Sequence, residues 1–182
     1  MLDHQLRIAL FQPDIAQNTG TILRLCACLG IRASIIEPAG FPVSDRHFRR
    51  AGMDYLDEVE VLYHPSWTAF ESFRHGPQSA PATTSPSRLI LMTTKASLAY
   101  TDFSFARGDI LLAGRESAGV PASVHSAADA RVGIPMRPNL RSLNVAVATA
   151  MVAGEAIRQI QRQQACPPAE MTTCRANAMS KA

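Results

Sequence analysis

The sequence predicts a single-domain α/β fold, a parallel sheet with helices on both faces. Strand-like apolar runs alternate with helix-like segments along the chain. Two later runs, RLILMTT (88–94) and GDILLAG (108–114), are apolar without alternation, the pattern of strands covered on both faces. A length of 182 residues suits one domain at about 100–200 residues each.

The elements follow in order. LRIALF (6–11) predicts the first strand. NTGTILRLCACLG (18–30) predicts a helix with Asn18 or Thr19 near its N-cap and Gly30 as its stop. ASIIE (33–37) is a second strand, SDRHFRRAG (44–52) a capped helix, EVEVLY (58–63) a strand and SWTAFESFRH (66–75) a helix. GPQSAPATTSPS (76–87) has loop composition and predicts an exposed connector. The strands 88–94 and 108–114 come next, then ARVGIPM (130–136). SLNVAVATAMVAGEAIRQIQRQ (142–163) is a long helix with Ser142 as its N-cap, and its apolar first half requires burial against something large. The domain is expected over 1–163 and a flexible tail over 164–182, because Pro167 and Pro168 end the helix.

Composition excludes several classes. No apolar run approaches the roughly 20 residues of a membrane span. The segment MLDHQLRIALF carries an early acid and a short apolar stretch, unlike a secretory leader. A soluble cytoplasmic protein is expected. Cys26 and Cys28 lie two positions apart on a helix and so point about 200° apart. Cys166 and Cys174 sit in the tail, and no CxxC or HExxH accompanies any of the four. Reduced thiols and no metal are therefore expected. Sixteen arginines against two lysines, Lys95 and Lys181, suit phosphate recognition through the guanidinium fork, and a GC-rich genome accounts for the bias equally well.

Ligands of parallel α/β sheets bind beyond the carboxyl ends of the strands. Four loops fall there: QPDIAQNTG with Arg24 beyond it, TTKAS, GRESAGVP and PMRPNLRSLN. GRESAGVP is not a Walker A loop, since Val120 follows Gly119, and no GxGxxG follows the first strand, which removes a dinucleotide-dependent oxidoreductase. Each loop alone reads as ordinary turn chemistry or as part of a site. Arg24 stands among Ile22, Leu23, Leu25 and Cys26, so it either snorkels to solvent or points into a polar site.

Together NTGTILR, LLAGRESAGVP and IPMRPNLRSLNVAVATA resemble, in order and spacing, the three motifs of the SpoU branch of the SPOUT RNA methyltransferases, over nearly the whole chain to about residue 160. The resemblance implies a sheet whose C-terminal part is threaded as a trefoil knot, an exception to the usual absence of knots. It also implies S-adenosylmethionine as cofactor. The cofactor positions that carry over are Met92, Thr93, Gly114, Glu116, Gly119, Ile134, Met136, Ser142 and Leu143. The catalytic set that carries over is Arg24, Asn18, Glu116, Ser142 and Asn144. With no extra N-terminal RNA-binding domain, the chain is most similar to members that 2'-O-methylate the wobble cytidine or uridine of tRNA. The implied partners are the anticodon stem-loop, of leucine tRNAs, and a second copy of the chain in a homodimer. Arg46, Arg49 and Arg50 are candidate phosphate contacts or a solvated helix face, and His47 reads as surface. Arg115 stands where such members often carry proline. Other readings are methylation of ribosomal RNA or of another tRNA position, and a catalytically silent RNA-binding protein.

Overall fold

The structure is a computed structural model that describes residues 5–42, 58–76 and 87–165. Its elements are β1 (Arg7–Phe11), α1 (Ala16–Leu29), β2 (Arg32–Ile36), β3 (Val61–His64), α2 (Trp67–His75), β4 (Leu89–Met92), β5 (Ile110–Ala113), α3 (Ala122–Ala127), β6 (Ala130–Val132) and α4 (Val145–Ala165). The helix expected over 44–52, with Arg46, His47, Arg49 and Arg50, lies outside the described residues. So do most of the connector and the tail from 166, including Cys166 and Cys174.

All strands pair in parallel, in the order β3-β2-β1-β5-β4-β6. The chain runs outward through β2 and β3, crosses β1, and lays β5 between β1 and β4. The four strands followed by unusual loops, β1, β5, β4 and β6, are therefore consecutive neighbours. Their ends are level: Leu10 and Met92 both pair with Ala113, and Met92 with Val132. The loops converge because the topology makes them adjacent at one edge.

The side-chain alternation of each strand divides the core between two faces. Ile8, Leu10, Ala33, Ile35, Ile90, Leu111 and Val132 form one buried cluster with Ile22, Leu23 and Cys26 of α1 and Val152, Ala153, Ala156 and Ile160 of α4. Ala9, Phe11, Ile36, Leu89, Leu91, Ile110 and Leu112 form the other with Phe70 of α2 and Val124 of α3. Burial of Cys26 pushes its thiol up to about 12, whereas Cys28 is exposed, as their helical spacing requires.

Two caps differ from expectation. Asn18 and Thr19 do not cap α1, which begins at Ala16 with Ile15 as an N-cap that makes no side-chain cap bond. The amide of Asn18 is engaged elsewhere, as described below. Ser142 does not cap α4; Asn144 does, its Oδ1 accepting from Ala146 N at 2.8 Å and Val147 N at 3.4 Å. Strand ends are also shorter than the apolar runs. The backbone leaves β6 at Val132, and Gly133 bonds instead to the β4–β5 connection, donating to Leu98 O and accepting from Tyr100 N, both at 2.9 Å.

Candidate active site

Beyond the four adjacent strand ends lies a cavity of about 580 Å³, within the range of about 300–1,000 Å³ usual for small-molecule sites. All nine expected cofactor positions line it: Met92 and Thr93 after β4, Gly114, Glu116 and Gly119 after β5, and Ile134, Met136, Ser142 and Leu143 after β6. Leu91, Ala113, Val132, Val145, Ala148 and Val152 make its floor apolar. Lys95, Arg115, His125 and Arg141 add basic groups to its lining.

The turn after β5 is a built feature. Arg115 N donates to Gly119 O at 3.0 Å and Gly119 N to Arg115 O at 2.8 Å, closing a five-residue loop. Gly119 sits at φ +66°, where a side chain is strained. Gly114 is required by contact, since a Cβ there would lie 2.8 Å from the carbonyl carbon of Gly119. The strand end is thereby pinched so that bare backbone faces the cavity.

A directed chain of hydrogen bonds crosses the site. Glu116 Oε2 accepts from Asp14 N at 2.9 Å, and Oε1 accepts from Asn18 Nδ2 at 3.1 Å. Asn18 Oδ1 then accepts from Asn144 Nδ2 at 3.0 Å, and Asn144 Oδ1 caps α4. A carboxylate only accepts and a backbone N–H only donates, so the two ends of the chain fix both amide orientations. Asn18 thus joins segments 98 and 126 residues further along the chain, through Glu116 and Asn144. Glu116 is half-buried, as one of the residues lining the cavity.

Of the expected catalytic set, Asn18, Glu116, Ser142 and Asn144 line the cavity and Arg24 does not. Arg24 is exposed on the third turn of α1. Six residues beyond Asn18, it stands about 9 Å further along the helix and about 120° around it.

A model of the SpoU rRNA Methylase family matches residues 5–154. The chain belongs to that family. It is 65% identical over 153 residues to a protein of Beijerinckia indica named tRNA (cytidine(34)-2'-O)-methyltransferase, covering 84% of this chain and 91% of that one. A solved structure described as "Structural insights into the 2-OH methylation of C/U34 on tRNA" superposes with a TM-score of 0.76 at 35% identity, covering 85% of this chain and 95% of that one. The SpoU methyltransferase AviRb of Streptomyces viridochromogenes, in complex with AdoMet, superposes with a TM-score of 0.75 at 26% identity, covering 84% of this chain and 59% of that one.

Within this SpoU family chain, the structure adds residues that sequence reasoning left without a role. Asp14 Oδ1 accepts from Arg115 Nε at 3.1 Å and Nη2 at 2.8 Å. Its Oδ2 accepts from Ser117 N at 3.1 Å and from the Ser117 hydroxyl. Asp14 belongs to the unusual QPDIAQNTG loop and Arg115 to GRESAGVP; those were the available signals, and the pairing across 101 residues was not among them. The Ser117 hydroxyl, then Arg115, holds the Asp14 carboxyl below its ordinary 3.8. A carboxyl depressed by folding contributes stability above its unfolded value and loses it as pH falls through the folded value. The melting-temperature gap between wild type and Asp14→Asn is therefore expected to be full at pH 6 and to close below about pH 3.8, where the carboxylate is progressively protonated. Paired thermal melts from pH 7 to 2.5 measure it.

Proposed function

We propose that this chain transfers the methyl group of S-adenosylmethionine to the 2'-hydroxyl of the wobble nucleotide, a cytidine or uridine at position 34, of tRNA, with leucine tRNAs as the expected subset. The observation that carries the reading is the cavity at four adjacent strand ends. It is lined by every cofactor position that the family motifs imply, and the Glu116–Asn18–Asn144 chain braces it. The relatives named above for cytidine(34) and C/U34 methylation extend that support to the substrate.

The residues fit the cofactor. The apolar floor suits an adenosyl group, and Gly114 and Gly119, both in the lining, permit the tight 114–119 turn that borders it. When bound, S-adenosylmethionine supplies a sulfonium-activated methyl group. Met92, Gly114, Ile134, Met136, Ser142 and Leu143 hold it in the cavity; Glu116 acts through its bonds to Asp14 and Asn18, keeping the loop walls in place. The ribose hydroxyl has to be aligned with the methyl group and to lose its proton.

Arg24 serves the RNA rather than the cofactor. A guanidinium keeps its proton and is a poor base; exposed on α1, Arg24 is suited to clamp the phosphate next to the target ribose and orient the hydroxyl, with the phosphate as proton relay. Arg24→Lys, which keeps the charge and loses the bidentate fork, is expected to lower kcat about tenfold or more, on the scale of about 1.5–3 kcal/mol for a charge-assisted hydrogen bond. Single-turnover rates at saturating tRNA check this, and full turnover would remove the clamp.

The functional unit is a homodimer acting in the cytoplasm on tRNA. Exposed Val147 and Met151 lie one turn apart on α4, an apolar patch suited to a second copy. One catalytic domain spans 1–163, and its C-terminal part is threaded as a trefoil knot. Support for the threading comes from the β4–β5 connection, which bonds Gly133 where the chain leaves β6 and then meets α4: Gln159 donates to Phe103 O and accepts from Phe105 N, and Gln163 donates to Phe105 O, each at 2.9 Å. Incubating the purified protein with labelled S-adenosylmethionine and either tRNA or ribosomal RNA, each from cells lacking the gene, tests the reading. Label is expected in tRNA; label confined to ribosomal RNA would favour the alternative substrate.

A further inference from the structure

We infer that Asp14, Arg115 and Ser117 form a positioning latch that holds the 114–119 turn in its ligand-ready place, so that this pair of charges sets cofactor affinity through the turn. The inference rests on the reading that the cavity binds S-adenosylmethionine.

The turn is stiff within itself. Two backbone bonds close it between Arg115 and Gly119, and Gly114 is pressed against Gly119. What needs fixing is its position as a unit relative to the β1–α1 loop. Two carboxylates do this from opposite sides. Glu116, on the turn, reaches to Asp14 N and Asn18 Nδ2. Asp14, on the loop, reaches back to residues either side of Glu116, taking two donors from Arg115 and two from Ser117. These four donors match the roughly four lone-pair positions of a carboxylate, so Asp14 has no capacity left for a ligand. Its role is therefore exerted through the turn.

Asp14 is itself supported from behind. Gly40 N donates to Pro13 O at 2.8 Å, and a Cβ at residue 40 would lie 3.1 Å from the Asp14 Cα. The latch thus links the loops after β1, β2 and β5. A turn held by Glu116 alone keeps one line of attachment about which it can rock. If only a fraction of molecules then hold the turn in place, the measured dissociation constant rises by the inverse of that fraction, even though every group that touches the cofactor is still present.

The test is isothermal titration of S-adenosylmethionine into wild type, Asp14→Asn, Arg115→Gln and the double variant, with thermal melts of each unliganded protein. Each single variant is expected to raise Kd about tenfold, and the double variant no further than either, because both remove one shared interaction. Arg115→Lys recovers part of the loss, and Ser117→Ala, which deletes one hydroxyl at an exposed position, raises Kd about threefold. At saturating S-adenosylmethionine the tRNA KM stays within about twofold of wild type. Unchanged Kd in the single variants, or additive losses in the double, overturns the latch. A raised tRNA KM with unchanged cofactor Kd also overturns it and makes Arg115 an RNA contact. A wild-type protein that binds no S-adenosylmethionine overturns instead the reading on which the latch rests.

Discussion

Replacing Glu116 by glutamine is expected to lower kcat/KM about a hundredfold, and adding Asn18→Asp to restore most of it. The reason is the direction of the chain. Glutamine can still accept from Asp14 N, but its NH₂ group then faces the NH₂ of Asn18. Turning Asn18 round relieves that clash and creates another, because its NH₂ now meets the NH₂ of Asn144. Turning Asn144 in turn strips the cap from Ala146 and Val147. An isosteric change at one end therefore propagates to the start of α4, and hydrogen bonds to a charged group are worth about 1.5–3 kcal/mol each. With aspartate at 18, glutamine donates to the new carboxylate, which accepts from Asn144, and the cap survives. Steady-state kinetics of both single variants and the double check the prediction. A double variant as slow as Glu116→Gln would mean that the carboxylate at 116 matters for something other than this chain.

Gly114→Ala is expected to abolish most cofactor binding in a protein that remains folded. The added Cβ would lie 2.8 Å from Gly119 C, 3.0 Å from its Cα and 3.0 Å from Val120 Cγ1. Two of these neighbours are backbone atoms of the turn closed onto Arg115, so the relief is to open the turn. Overpacking of this kind costs about 1–3 kcal/mol, which as lost affinity is about five- to 150-fold in Kd. The core clusters on the two faces of the sheet are not involved, so circular dichroism should be unchanged while titration with S-adenosylmethionine shows the loss. The same substitution at Gly154, where a Cβ meets nothing within 4 Å, serves as the control and should bind normally.

The sheet was legible because its evidence is local. Apolar runs and their alternation with helical segments depend only on neighbouring residues, and the parallel strand pairs follow from them. That four loops fall at one edge was also legible, since it needs only strand direction; their adjacency along that edge comes from the strand order. The cap of α1 was misread for an instructive reason. An asparagine near a helix start ordinarily serves its own backbone, but the amide of Asn18 is engaged by Glu116, 98 residues away, and by Asn144, 126 residues away. Asn144 could then take the cap expected of Ser142, because its two amide atoms serve two masters, Oδ1 for α4 and Nδ2 for Asn18. Asp14 and Arg115 were illegible as a pair, as no spacing rule links charges 101 residues apart. For Arg24 the sequence offered solvent or a polar site; in the fold the residue is exposed on α1 and is not among those that line the cavity.

The most direct test of the central claim is to map the methyl group. Purified protein, S-adenosylmethionine and tRNA from cells lacking the gene are incubated, the tRNA is cut into oligonucleotides, and the fragments are sequenced by mass spectrometry. The account predicts one new 2'-O-methylated cytidine or uridine, at nucleotide 34. A methyl group at any other nucleotide, or tRNA left unmodified by protein that binds the cofactor, would contradict it.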